Sequence, residues 1–209
     1  MDALFLFLAL LVMITIGGLF LILSHSPAPQ HASAKKIDGT DFLPSQMYMG
    51  GDGLGGLAVN ERTRQICLLK SSTSPPELFP INDLVGSYLV KNGEIIGEGK
   101  RNHPKETVIF LQGLHRQKES LITNLHMEAS SEGRQRIDLL VMVRDLNDPI
   151  LVVNFLDMET KEGGILFEKA LSTATHWHYV LDGLILEADH LTKTPSEATQ
   201  GKQLAEARP

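Results

Sequence analysis

Apolar and polar positions along this chain fall into three regimes: an unbroken apolar run, a long stretch of period two, and a stripe recurring every three to four residues. The run is Ala3 to Leu23 (ALFLFLALLVMITIGGLFLIL), 21 residues without a charged side chain. As a helix it is about 30 Å long, the thickness of a bilayer's hydrocarbon core. It predicts a transmembrane helix within residues 1–24. Residues 25–49 carry Pro27, Pro29 and Pro44 among Ser, Ala and Gln and read as an extended linker. Residues 50–190 hold the patterned part and read as one globular domain. Residues 191–209 are polar again and read as a disordered tail.

Within the domain, Leu57 and Val59, then Ile66, Leu68 and Leu69, flank the polar turn Asn60-Glu61-Arg62-Thr63 and predict two strands. Leu84–Val90 predicts a third. Asn92-Gly93 after it is a two-residue hairpin signal, and Glu94-Ile95-Ile96 returns. Thr107–Leu111 reads as another strand, and the alternation of Leu121, Thr123, Leu125 and Met127 as the next. Ile137, Leu139, Val141 and Val143 alternate before the turn Asn147-Asp148-Pro149, and Ile150–Leu156 is the last strand. After Gly163-Gly164 the period changes. Phe167, Ala170, Leu171, Ala174, Trp177, Leu181, Leu184 and Ile185 form one apolar stripe on a helix of roughly 24 residues. Glu168, Lys169, Ser172, Thr173, His176 and Asp182 fall on its polar side. Short antiparallel strands closed by a long amphipathic helix make an α+β arrangement. The economical packing is a bent sheet or partly open barrel capped by that helix.

Three segments carry a resemblance: Gly56–Leu69, Phe79–Glu94, and Ile137–Leu156 followed by Ala174-Thr175-His176-Trp177-His178. Together they resemble a family of uncharacterised bacterial proteins, often with one N-terminal membrane helix, whose soluble part looks like a pleckstrin-homology-type barrel. The likeness covers about residues 50 to 187. It implies a fold and an inner-membrane setting. It brings no activity, cofactor or site residues.

The anchor reads as uncleaved, because Met1-Asp2 lacks the basic n-region of a signal peptide and Ala32-Ser33-Ala34 lies well past the apolar run. Lys35 and Lys36 follow the helix while only Asp2 precedes it, which favours a cytoplasmic domain. The sole cysteine, Cys67, cannot form an internal disulfide. With 19 basic and 25 acidic residues and a pI near 5.7, the chain lacks the basic patch of a nucleic-acid binder.

No catalytic, cofactor-binding or metal-binding residue is assigned. Gly51-Asp52-Gly53-Leu54-Gly55-Gly56 matches GxGxxG, but a strand rather than a helix is predicted after it, so the phosphate-binding helix end is missing. His176 and His178 are two apart on a helix and point away from each other. Cys67 sits in an apolar strand, where a reactive thiolate is not expected. Asp138, Asp145, Asp148 and Asp157 lack calcium-loop spacing and read as turn residues. The expected role is a single-pass membrane-anchored interaction or scaffolding module, held by membrane lipid around Ala3–Leu23 and bound to a protein partner through a strand edge or the loops of 99–136. The alternatives are an enzyme with an unrecognised active site and a reader of anionic lipid headgroups. The reader would draw on Lys100, Arg101, Lys105, Arg116 and Lys118.

Overall fold

The computed structural model describes residues 37, 41–50, 53, 55–70, 74–102, 108–129 and 133–206, with side chains to Leu191. The expected transmembrane helix, Ala3–Leu23, lies outside the described residues. Among the described residues, no helix is long and apolar enough to cross a membrane. The order of elements is β1 (Gln46–Met49), β2 (Gly56–Asn60), β3 (Gln65–Leu69), β4 (Glu77–Pro80), a 3-10 turn (Ile81–Asp83), β5 (Leu84–Lys91), β6 (Glu94–Lys100), α1 (Val108–Ala129), β7 (Arg134–Val143), β8 (Ile150–Glu159) and α2 (Ile165–Glu206). The protein is α+β, with antiparallel sheets and a C-terminal helix.

The strands divide into two four-stranded sheets, ordered β1-β2-β3-β4 and β6-β5-β7-β8, where one bent sheet or a partly open barrel was expected. Every pairing is antiparallel. Asn92 (φ 50°) and Gly93 (φ 79°) both take positive φ between β5 and β6, as a type I′ turn requires.

The main core lies between the two sheets and α2. Leu57, Val59, Ile66 and Leu68 come from the first sheet, and Leu139, Val141 and Val153 from the second. The α2 stripe supplies Phe167, Ala174, Trp177, Leu181 and Ile185. Tyr48 of β1 stacks on Phe155 with ring centroids 4.1 Å apart, beside Trp177. The other face of the second sheet is covered by α1, where Val85, Tyr88, Val90, Leu140 and Met142 meet Leu114 and Leu125. With both faces covered, β5 and β7 read as nearly continuous apolar runs.

Three expectations change. The strands expected at Thr107–Leu111 and Leu121–Met127 are not strands: residues 108–129 form one helix, α1. The last residues of the expected linker form β1, and Phe42 is already buried against Ala58 and Cys67. Helix α2 runs on to Glu206, through most of the segment that composition reads as a tail.

Helix α1 is fastened at its C-terminal end. His126 Nδ1 lies 3.0 Å from the Asn92 carbonyl, Arg136 pairs with Glu128, and a Cβ on Gly93 would run into the His126 backbone. Its first turn is open, with Val108 and Ile109 exposed.

Candidate functional site: a basic cleft beneath α1

Beneath the N-terminal half of α1 lies a cavity of about 210 Å³. Val85, Leu111, Leu114 and Met142 give it an apolar floor and roof. Tyr88, Lys100, His115 and Lys118 supply its polar edge, with Arg101 behind them. Each is placed by the local pattern. Ser87 of β5 faces α2, while Val85 and Tyr88 turn to the α1 side. Leu111, Leu114 and Lys118 are three and four apart and line one face of α1.

Lys118 is 6 % exposed. Its Nζ stands 4.3 Å from the centroid of the Tyr88 ring, a cation–π contact. Among the described residues it has no hydrogen-bond or salt-bridge partner within contact distance. Its charge acts on the Glu98 carboxylate, and that group is already engaged. Lys100 Nζ donates to Glu98 Oε1 at 3.2 Å, and the Tyr88 hydroxyl donates to the same carboxylate. Burial alone would raise Glu98, but Lys100, Tyr88 and Lys118 together hold it below the usual carboxylate value. Tyr88 is pushed up to about 12, by burial first and then by the Glu98 charge. Its hydroxyl therefore stays protonated.

The other cations are matched. Arg101 Nε donates to Asp189 Oδ1 at 2.7 Å, with both side chains buried. Its remaining donors reach the carbonyls of Asn82 and Ala188, and Asp189 Oδ2 accepts the Asn102 N–H at 2.7 Å. Arg101 is thus a lock between the end of β6 and α2. His115 pairs with Glu119 on the helix surface at 2.9 Å. Of the five cations expected for a headgroup reader, Lys100, Arg101 and Lys118 converge on this cavity. Arg116 is on the exposed side of α1, and Lys105 lies outside the described residues.

The remaining candidates are accounted for by their surroundings. Gly53 and Gly55 belong to the loop between β1 and β2, where the Gly50 N–H donates to the Gly55 carbonyl at 2.7 Å, and a strand follows. Residues 51, 52 and 54 of the glycine-rich segment lie outside the described residues. Cys67 is fully buried and its thiol is pushed up to about 11 by burial. Of the four aspartates, Asp145 forms the expected turn, accepting the Asn147 N–H at 2.8 Å, and Asp148 pairs with Lys70. Asp138 and Asp157 are strand residues, not turn residues. Asp138 is 1 % exposed and accepts from Arg136 and from Asn154, while Asp157 pairs with Arg134. Burial raises Asp138 above the ordinary carboxylate value, with Arg136 and Asn154 opposing it.

His176 and His178 separate, as their spacing requires. His176 Nε2 meets Gln46 Oε1 at 3.0 Å, and His178 Nδ1 meets Ser87 Oγ at 3.2 Å. Asp182 adds its charge near His178. Ser, His and Asp are here in the order of a nucleophilic triad, which sequence reading missed. Ser87, however, is fully buried, and Gly97 and Gly99 of β6 pack directly on His178 and Asp182. A Cβ on Gly97 would stand 2.8 Å from His178 Nε2. The two glycines let α2 approach β6, and a reacting carbonyl has no room there. No protein-family model matches the chain, no characterised protein matches its sequence, and no solved structure matches its fold.

Proposed function

We propose that the protein is a single-pass, membrane-tethered binding module that holds an anionic group in the cleft beneath α1. The observation that carries this reading is Lys118. A lysine buried to 6 % exposure without a direct ion pair costs stability, and a chain that keeps one at an otherwise apolar helix position has a use for its charge. Lys100 and His115 stand at the rim, each paired with a glutamate, and leave Lys118 as the lining cation without a direct ion pair among the described residues. The scaffold, two antiparallel sheets with a C-terminal helix, suits the pleckstrin-homology-like architecture that the sequence resembles. In this reading Ala3–Leu23 anchors the chain in the bacterial inner membrane and the Lys35–Lys36 bias keeps the domain in the cytoplasm. Among the lining residues the ionisable groups are either paired or cationic, an arrangement that favours retention of a ligand over its chemical conversion.

The test uses the full-length chain in nanodiscs of uncharged lipid, titrated calorimetrically with inorganic phosphate, hexyl phosphate and hexanoate. At least one of these binds saturably, and Lys118→Met weakens that binding tenfold or more. If none binds, or if Lys118→Met binds as the parent does, the anion reading is wrong. The tether is checked separately. The full chain resists carbonate and high-salt washes of membranes, and a C-terminal reporter is active in the cytoplasm. A chain that washes off in salt overturns the anchor.

A further inference from the structure

We infer that the ligand of this cleft is an amphiphile, one anionic group carried on a short apolar stem, with the anion at Lys118 and the stem along Leu111, Leu114 and Met142. This inference rests on the anion-binding reading above and adds the chemistry of the rest of the ligand. Three observations support it. The first is the lining. A site for inorganic phosphate or a sugar phosphate surrounds its ligand with donors, whereas here Val85, Leu111, Leu114 and Met142 form one side of the lining and the donors the other. The second is the position of the ammonium. Lys118 is buried to 6 % exposure and its Nζ lies against the Tyr88 ring beside the apolar lining, so an anion that reaches it brings its neighbouring atoms against that lining. The third is the continuation of the apolar surface outward. Val108 precedes Leu111 by three residues on the same face of α1, and Val108 and Ile109 are 69 % and 82 % exposed. A stem longer than the cavity would leave along these side chains.

Size limits the ligand further. A cavity of about 210 Å³ is smaller than the roughly 300–1,000 Å³ of pockets that enclose drug-sized molecules. It takes a single anionic group and a few methylenes, not a bulky headgroup. Two sources present this chemistry: a soluble short-chain acid or phosphate monoester, and the phosphate and first methylenes of a membrane lipid.

The experiment titrates the full-length chain, in nanodiscs of phosphatidylcholine, with inorganic phosphate and then with ethyl, butyl and hexyl phosphate. Affinity rises about fourfold for each added methylene until the cavity is full, and then levels. Leu111→Trp fills the apolar end. It loses this chain-length gain and keeps the binding of the shortest anion. Lys118→Met loses the whole series without a fall in its unfolding midpoint. Equal affinity for inorganic phosphate and hexyl phosphate, with both lost in Lys118→Met, overturns the amphiphile and leaves the anion reading standing. Failure of every anion, or a series indifferent to Lys118→Met, overturns both. The source is read by native mass spectrometry of the chain released from nanodiscs that also contain phosphatidic acid. A retained lipid that Lys118→Met lacks assigns the ligand to the bilayer. A bare chain that still shows the alkyl-phosphate series assigns it to solution.

Discussion

Replacing Lys118 by Met removes the ammonium and keeps an unbranched stem of similar length in the same place. Two favourable contacts are lost. The cation–π contact with Tyr88 is worth up to about 2 kcal/mol when desolvated. The attraction to Glu98 is weaker, because that carboxylate is partly exposed and already bonded to Lys100 and Tyr88. Against these stands the partial desolvation of a charge in a residue only 6 % exposed, up to several kcal/mol. The thioether adds back a sulfur–aromatic contact with Tyr88 of about 0.3–1.5 kcal/mol. The balance favours the variant by about 1–2 kcal/mol. For a domain of this size that raises Tm by about 2–8 °C. The assay is convenient because Trp177 is the only tryptophan and sits in the main core, so its fluorescence reports unfolding directly. Stabilisation together with loss of anion binding is the signature of a residue kept for function. A Lys118→Met chain that is less stable than its parent by about 1 kcal/mol or more would refute the reasoning and make Lys118 a structural element.

Four further outcomes are expected. Asp189→Ala leaves the Arg101 charge buried without its partner and costs about 3–5 kcal/mol in urea unfolding; a loss below about 1 kcal/mol would mean the pair locks nothing. Trp177→Ala costs about 3–5 kcal/mol and Lys169→Gln under about 0.5, and equal tolerance would mean that α2 is not docked through its stripe. Gly93→Ala forces a Cβ onto the His126 backbone at a positive φ and costs about 1–3 kcal/mol. Hydrogen exchange in residues 122–129 should accelerate in that variant, and unchanged exchange would show that the hairpin does not hold α1. His178 is held below the ordinary 6.5 by burial, with Asp182 partly opposing, so its neutral form contributes stability that is present above pH 6.5 and lost as pH falls through and below it. His178→Asn should flatten that acid-side decline in urea midpoint, and an unchanged slope would assign it to other groups.

Much of the fold was legible because local signals were unopposed. Asn92-Gly93 admits the two positive φ values of a tight hairpin, and the polar turn after Asn60 closes β2 on β3. The α2 stripe from Phe167 to Ile185 was clear because each member faces one continuous core. The short edge strands were not legible. β1 and β4 have four residues each, too few for a period to show, and β1 owes its place to Tyr48 stacking on Phe155 more than a hundred residues away. The division into two sheets is likewise a long-range outcome. Gly97 and Gly99 did carry a signal. Alternate glycines in a strand mark a close backbone approach, and here the approaching groups are His178 and Asp182. Asp138, a carboxylate inside an apolar strand, was another, since such a group needs partners like Arg136 and Asn154.

Helix α1 shows how the missed element and the site are the same observation. Its sheet-facing row runs Leu111, Leu114, Lys118, Leu121 or Ile122, Leu125 and Ala129, a regular helical stripe with one polar member. Lys118 stands at the middle of that row and splits it into two short apolar runs, each of which reads as a strand. An apolar residue there would have made the helix plain from the pattern and filled the space beside Tyr88 with hydrocarbon. Sequences break their own patterning at few places, and those tend to be places where stability is yielded to function. Here the break coincides with a cavity and a buried lysine that has no direct ion pair among the described residues. The position that hid the helix is therefore the one that marks the cleft, and a polar residue interrupting an otherwise regular stripe is itself a signal of a site.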